Sequence, residues 1–163
     1  MTLSLTILGC GSSAGVPRPA LGWGACDPNN PRNRRRRCSL LAEQAGDGGV
    51  TRILIDTSPD LREQLLDAEV DHIDAVFLTH EHADQTHGID DLRSVVLRQR
   101  RRIPVYLNRS TAKEMLDIAP ATSAKMQGIM MALTEQTGRW QKRCIHLTEY
   151  MQELRDHARA PIK

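Results

Sequence analysis

The alternation of apolar and polar residues predicts a mixed α/β fold in the first two thirds of the chain. Residues 3–8 alternate with the two-residue period of a half-buried strand and end in a glycine-rich turn. Residues 38–43 and 51–56 have the composition of two further strands, and a turn at residues 45–49 joins them into a β-meander. Residues 15–37 carry so many Pro, Gly and Asn residues that they predict a long loop.

A helix and a parallel strand are predicted after this meander. Residues 57–60 read Thr-Ser-Pro-Asp, which predicts a helix start with a hydroxyl cap before a proline in the first turn. Apolar residues then recur at helical spacing from Leu61 to about Ala68. Residues 75–79 predict a strand, so strand, helix and strand form a βαβ unit with a parallel pair.

A second helix and a fifth strand complete the predicted α/β part. Residues 88–99 predict the helix, and residues 103–107 predict the strand. The apolar helix residues expected to face the sheet are Ile89, Leu92, Val95, Val96 and Leu97. Residues 117–163 show apolar residues at helical spacing without a series of strands and turns, so they predict a helical tail.

Composition narrows the class of protein only a little. The chain has 163 residues, of which 40% are hydrophobic and 3% aromatic, and this suits one domain with a modest core. It has no apolar run of the ~18 residues that a membrane span needs and no signal-type leader, so we expect a cytoplasmic protein. The four cysteines are too sparse for a disulfide framework, which favours reduced thiols.

Arginines concentrate in two blocks, within residues 32–37 and 98–102. Either block could contact the phosphate of a substrate or of a nucleic acid. No aromatic residues alternate with the arginines, which favours exposed and solvated side chains over a nucleic-acid surface. The net charge of +2 indicates no partner by itself. Nucleic acid therefore stays an alternative partner that the sequence does not favour.

The segment that indicates chemistry most clearly is residues 79–88, Thr-His-Glu-His-Ala-Asp-Gln-Thr-His-Gly, which follow the predicted strand. Alternation in an extended segment places His80 and His82 on the same side, where both imidazoles can bind one ion. Asp84 can reach a neighbouring ion, and such ligands suit zinc, manganese or iron. The alternative is a solvated polar loop, and the spacing of three ligand-type residues favours a metal site over it.

Residues 79–85 resemble the T-H-x-H-x-D-H signature of the metallo-β-lactamase superfamily, and Asp56 resembles the upstream aspartate of that fold. Further segments resemble the branch that contains phosphoribosyl cyclic phosphate phosphodiesterase, namely residues 8–17, 23–27, 56–62 and 88–93. The resemblance covers about the first 110 residues. It implies an αββα sandwich of which residues 1–116 form the N-terminal half, with residues 117–163 as an atypical helical tail.

The function implied by the resemblance is that of a metal-dependent hydrolase, most simply a phosphodiesterase that acts on a small phosphate ester through metal-bound hydroxide. His80 and His82 would bind the first ion, and Asp84 with Gln85 the second, with zinc or manganese as the expected metal. Asp84 is also the candidate catalytic residue. The residues expected to orient ligands or to brace the surrounding loops are Asp56, His87, Asp91 and Arg93.

Two features depart from the family pattern. Gln85 stands where the signature has its third histidine, and its amide oxygen is a poorer ligand for a zinc-like ion than an imidazole nitrogen, so we expect weak or no binding of a second ion. His87 is expected to project in another direction. The later ligands of the family, a histidine, an aspartate and a final histidine, have no clear counterpart, since His146 and His157 fit the surface of predicted helices.

Three functional interpretations stay open. The first is the metal-dependent hydrolase, the second a catalytically impaired fragment or binding module with an incomplete metal site, and the third an RNA-processing metallohydrolase. The tail is either the product of a truncation or frameshift or a genuine helical cap on a half-domain. A half-domain would expose a sheet face and edge unless the tail or a second chain covers them, so a homo-oligomer is one of the expected arrangements.

Overall fold

Five strands form one sheet in the computed structural model, which describes residues 2–118. In chain order they are β1 (Thr2–Gly9), β2 (Ser39–Gly46), β3 (Gly49–Ile55), β4 (Ala75–Phe77) and β5 (Val105–Tyr106). They keep this order across the sheet, antiparallel from β1 to β3 and parallel from β3 to β5. The predicted meander and the predicted parallel βαβ pair are therefore confirmed.

Four α-helices accompany the sheet within these residues: α1 (Leu61–Asp67), α2 (Ala83–Thr86), α3 (Leu92–Gln99) and α4 (Arg109–Ile118). The start of α1 lies later than the predicted cap at Thr57 and Ser58. Thr57 instead donates its backbone N–H to the carbonyl oxygen of Gln85, at 2.7 Å, and Ser58 Oγ donates to Gln64 Oε1, at 2.9 Å. Thr57 therefore links this segment to Gln85, while Ser58 bonds Gln64 within α1 and accepts from Asp60 N at 3.2 Å, and the N-cap position is Asp60.

Buried apolar side chains lie on both faces of the sheet, because Leu40 and Ile55 are paired on the opposite face from Leu41 and Leu54 and all four are buried. A row of buried side chains crosses paired positions of four strands: Leu41, Leu54, Val76 and Val105. The buried apolar residues of the helices are Leu61, Leu65, Leu92, Val95 and Ala112. The prediction that Leu97 faces the sheet is wrong, because Leu97 lies on the opposite side of α3 from Leu92 and Val95 and is 67% exposed.

Strand β1 forms an edge of the sheet and pairs with β2. Its Leu3 and Ile7 side chains are 66% and 68% exposed, and no residue from Thr2 to Gly9 carries a charge. Uncharged apolar edge strands are places where another chain can add a strand. The homo-oligomer stays a prediction.

The segment between β1 and β2 is a long loop, as predicted, and hydrogen bonds fold it back on itself. Gly11 N donates to Arg36 O at 2.7 Å, and Val16 N donates to Arg35 O at 2.9 Å. At the end of the loop, Arg37 Nε and Nη2 donate to the two oxygens of Asp60, at 2.9 and 2.7 Å. These bonds hold the pKa of Asp60 below its usual value and fix the loop against the start of α1.

Helix α4 begins after Asn108, whose Oδ1 accepts a hydrogen bond from the backbone N–H of Thr111 at 2.8 Å. Such a cap satisfies one of the free N–H groups of the first turn. Residues 119–163 lie outside the described part of the chain, so the helical tail and the placement of His146 and His157 stay predictions. Among residues 2–118, no helix is long and apolar enough to cross a membrane.

Candidate metal site

The candidate site begins where the parallel strands β3 and β4 end side by side. Asp56 follows β3, and its backbone N–H donates to Phe77 O of β4 at 2.8 Å. Asp56 is buried and has a positive φ of 62°, which turns the chain sharply away from the sheet. Its carboxylate accepts hydrogen bonds from Thr79 N at 2.7 Å and from Thr79 Oγ1 at 2.8 Å. Asp56 therefore anchors the residue that precedes the first histidine.

These contacts fix the protonation pattern of His80. A carboxylate only accepts hydrogen bonds, so the hydroxyl of Thr79 donates to Asp56. Thr79 Oγ1 lies 2.9 Å from His80 Nδ1 and must accept there, so Nδ1 carries the proton. In a neutral imidazole the lone pair is then on Nε2, the arrangement that hydrogen-bonded histidine ligands of metals use.

Residues 79–85, named here the histidine arm, bring two imidazoles together. The ring centroids of His80 and His82 are 4.7 Å apart, and the rings meet edge to face at 76°. His80 is half-buried, whereas His82 is exposed and directly precedes α2. Two adjacent imidazoles, one with a fixed tautomer, are a suitable partial ligand set for one divalent cation.

Asp84 and Gln85 contact each other. The amide Nε2 of Gln85 donates to Asp84 Oδ2 at 3.1 Å. Gln85 is buried, and its Oε1 has no hydrogen-bond partner within the described residues. Gln85 therefore presents hydrogen-bond donors, rather than its oxygen, to the carboxylate that was expected to bind a second ion.

The described residues fit one cation better than two. His80 and His82 offer two nitrogen ligands, but residues 2–118 contain no group of three or more His, Cys, Asp or Glu side chains arranged to hold a metal ion. A donor N–H of Gln85 carries a partial positive charge, which does not favour a cation at Asp84 Oδ2. Asp84 and Gln85, which the resemblance assigns to the second ion, therefore do not form a pair of metal ligands in this arrangement.

The remaining predicted residues lie around the arm without joining it. His87 is exposed, and its Nδ1 lies 3.1 Å from Thr86 Oγ1, whose hydroxyl donates to His82 O at 3.1 Å. Asp91 Oδ2 accepts a hydrogen bond from Arg62 N in the first turn of α1, at 3.2 Å. Arg93 is exposed. Their roles as orienting or bracing residues stay predictions.

Close backbone packing holds α2 and the following turn against the segment after β3. Gly88 N donates to Thr57 O at 2.9 Å, while Thr57 Oγ1 donates toward Thr86 O at 3.1 Å. A Cβ atom on Gly88 would lie 1.9 Å from the carbonyl oxygen of Ser58. Only glycine allows this approach, so the turn that follows the arm and α2 is held in place by backbone contacts.

Sequence reasoning overlooked the threonines of the site. Thr79 links Asp56 to His80, and Thr57 binds the backbone of Gln85 and Thr86. The presence of Thr79 in the signature was visible, but its hydrogen-bond partner lies 23 residues earlier in the chain. Thr57 carried no signal beyond its suitability as a helix cap, which is the role that it does not have.

The mixed sheet and the two histidines after its strand β4 match the metallo-β-lactamase fold. The family described as the beta-lactamase superfamily domain matches residues 51–148, more than half of the chain. The chain therefore belongs to the beta-lactamase superfamily, and the resemblance read from residues 79–85 is confirmed. The match runs beyond residue 117, where the atypical tail was predicted to begin, and that boundary stays a prediction.

Two similar proteins extend this comparison. The crystal structure of a new diphosphatase from the PhnP family is 35% identical, with a TM-score of 0.61, and the match covers 72% of this chain and 46% of that one. An octanoyltransferase of Porphyromonas gingivalis is 41% identical over 111 residues, which are 68% of this chain and 22% of that protein. The chain thus spans less than half of the solved structure and about a fifth of the curated relative.

Proposed function

We propose that this chain is a metal-dependent hydrolase of phosphate esters, with His80 and His82 as its first two metal ligands. The observation that carries the proposal is the chain of hydrogen bonds from Asp56 through Thr79 to His80, which puts the lone pair of His80 on Nε2, an atom without a hydrogen bond among the described residues, in a ring 4.7 Å from that of His82. Membership of the superfamily supports hydrolase chemistry, since its members commonly bind divalent metals. The similar diphosphatase supports a phosphate-bearing substrate.

Asp56 and the residues of the histidine arm have different roles in the proposed reaction. Zinc or manganese, when bound there, would lower the pKa of a water molecule and offset the charge that develops on phosphoryl oxygens. Asp56 and Thr79 keep the proton of His80 on Nδ1. Asp84 is half-buried, and its Oδ1 accepts no hydrogen bond among the described residues, so this oxygen is suited to accept a proton from the attacking water.

The test compares metal content and turnover in matched histidine variants. We expect His80→Ala and His82→Ala to reduce bound zinc or manganese, measured by elemental analysis after dialysis, and to abolish hydrolysis of an activated phosphodiester or of a diphosphate ester. His72→Ala, at the other end of β4, is the control and should retain both. A wild-type chain without bound metal and without turnover would contradict the proposal.

A catalytically impaired binding module is the second candidate, and Gln85 is the observation that favours it. Its amide faces Asp84, and the described residues hold no complete ligand set for a metal. Bound metal without turnover on either ester would support this candidate over the hydrolase. Octanoyl transfer is not proposed, because the match covers only 22% of the octanoyltransferase.

An RNA-processing activity is less well supported. Four arginines of the two blocks have carboxylate partners: Arg36 pairs with Asp67, Arg37 with Asp60, Arg98 with Asp71 and Arg101 with Asp74. An arginine in an ion pair is less available to a phosphate backbone. A small phosphate ester is therefore the partner that we favour.

A further inference from the structure

Gln85 is a buried residue of the histidine arm, and hydrogen bonds hold its main chain. It is only 7% exposed, and its backbone N–H donates to His82 O at 2.9 Å. Its carbonyl oxygen accepts hydrogen bonds from Thr57 N at 2.7 Å and from Thr57 Oγ1 at 3.2 Å. The main chain on both sides of the side chain is thus fixed, and the amide group can reach only a small set of neighbours.

The two ends of the amide have different surroundings. Nε2 donates to Asp84 Oδ2 at 3.1 Å, whereas Oε1 is buried without a partner among the described residues. An unpaired buried acceptor destabilises a fold, because it loses its hydrogen bonds to water without replacement. An apolar side chain of similar size would avoid that loss at this position. The useful part of the Gln85 side chain is therefore its N–H group, which is directed at Asp84.

We infer that Gln85 is a positioning residue that restricts the histidine arm to one cation, because it places an amide N–H and no lone pair beside Asp84. The inference rests on the proposed function, because it concerns the metal site of that hydrolase. A histidine or a carboxylate at position 85 would offer a lone pair beside Asp84, but the amide of Gln85 offers a proton. The identity of residue 85 thus sets the number of ions, and His80 and His82 bind the single ion that remains.

Metal stoichiometry tests this inference without reference to activity. Calorimetric titration with Zn²⁺, and separately with Mn²⁺, should give one ion per chain for the wild type and two for Gln85→His and Gln85→Glu. Gln85→Leu removes the N–H without adding a ligand and should still bind one ion. Gln85→Glu keeps the size of the side chain, so it remains informative if the imidazole of Gln85→His does not fit the buried position.

A second readout is metal-dependent stability. In Gln85→Glu two carboxylates lie side by side, so the added ion should raise its melting temperature more than that of Gln85→Leu. Two ions in the wild type, or no additional ion in both Gln85→His and Gln85→Glu, would overturn the inference. A wild type that binds no ion would instead contradict the proposed function, while an ion gained by Gln85→Glu would still show that residue 85 decides the ion count.

Discussion

Two polar clusters lie at opposite ends of β4. They differ in how many of their polar atoms already have hydrogen-bond partners within the same cluster. Before the strand, Arg52 binds Glu43 at 2.7 Å and also pairs with Asp71. His72 lies 2.8 Å from Asp71 and 2.9 Å from Val50 O, so both of its ring nitrogens have partners. We call this group, together with Asp74, the basal cluster.

After the strand, fewer of the polar atoms of the histidine arm have hydrogen-bond partners among the described residues. His80 has a hydrogen bond at Nδ1 only, and the ring of His82 makes none among the described residues. Within residues 2–118, Asp84 has one carboxylate oxygen in a hydrogen bond and one without. Polar groups that satisfy one another serve the fold, whereas nitrogen lone pairs left open at the end of a buried strand are available to a ligand. Similar residue types therefore have different uses at the two ends of one strand.

The largest effect is expected from disturbing the packing that supports the arm. In Gly88→Ala the new Cβ would meet the backbone carbonyl of Ser58 at 1.9 Å, and backbone cannot yield as a flexible side chain can. We expect a loss of about 3 kcal/mol or more in the free energy of unfolding, measured with urea. Gly48→Ala is the control, because a Cβ there meets nothing within 4 Å. Equal stability of the two variants would show that the arm does not depend on this contact.

The next largest effect should come from Asp56→Asn, which changes the hydrogen bonds that reach the histidine arm but keeps the size of the side chain. The amide N–H of the new side chain would donate to Thr79 Oγ1, so the threonine hydroxyl would turn and donate to His80 Nδ1. The proton of His80 then moves to Nε2, and we expect metal affinity to fall by about 10–100-fold. Nitrogen NMR of the imidazole would report the tautomer directly.

Thr79→Ser keeps the hydroxyl and is the matched variant for this prediction. It should retain both the Nδ1 proton of His80 and the metal affinity of the wild type. If Asp56→Asn leaves the tautomer unchanged, the hydrogen bonds through Thr79 do not control the histidine, and the contrast with the basal cluster is weakened.

The smallest effect is expected in the basal cluster, from His72→Gln. Hydrogen bonds to Val50 O and to Asp71 raise the pKa of His72 above 6.5. The stabilisation is therefore fully present below pH 6.5 and is lost as the pH rises through the raised pKa of the folded state. The variant should lose less than about 1 kcal/mol of stability in acid, and less still in base, because His72 is partly exposed.

Urea unfolding at one pH below and one well above this pKa would measure the difference. Metal content should not change, since the basal cluster lies at the other end of β4 from the histidine arm. A stability loss that is the same at both values of pH would mean that protonation of His72 does not contribute, and a loss of metal would remove the distinction between the clusters.

Much of the fold followed from local patterns in the sequence. The period of two in β1 and the two strands around the turn at residues 46–49 were predicted to within a few residues. The start of α1 was not, because the Thr57 hydroxyl bonds the distant backbone of Gln85 and Thr86, while the Ser58 hydroxyl bonds Gln64 and Asp60 N and leaves the N-cap position to Asp60. The face of α3 was also misassigned at Leu97, since an apolar residue does not itself reveal which side of a short helix is covered.

The sequence by itself determined the superfamily, the succession of strands along the chain and the two adjacent imidazoles of His80 and His82, because neighbours in the chain are brought together by local geometry. Only the tertiary structure decided which nitrogen of His80 is free, because Asp56 and Thr79 meet through the pairing of β3 with β4. It also decided that the Gln85 side chain is buried next to Asp84, where the carboxylate can only accept a hydrogen bond and the amide N–H therefore faces it. The residue types determine which ligand atoms and hydrogen-bond groups are available. Packing between distant segments determines how those groups are oriented.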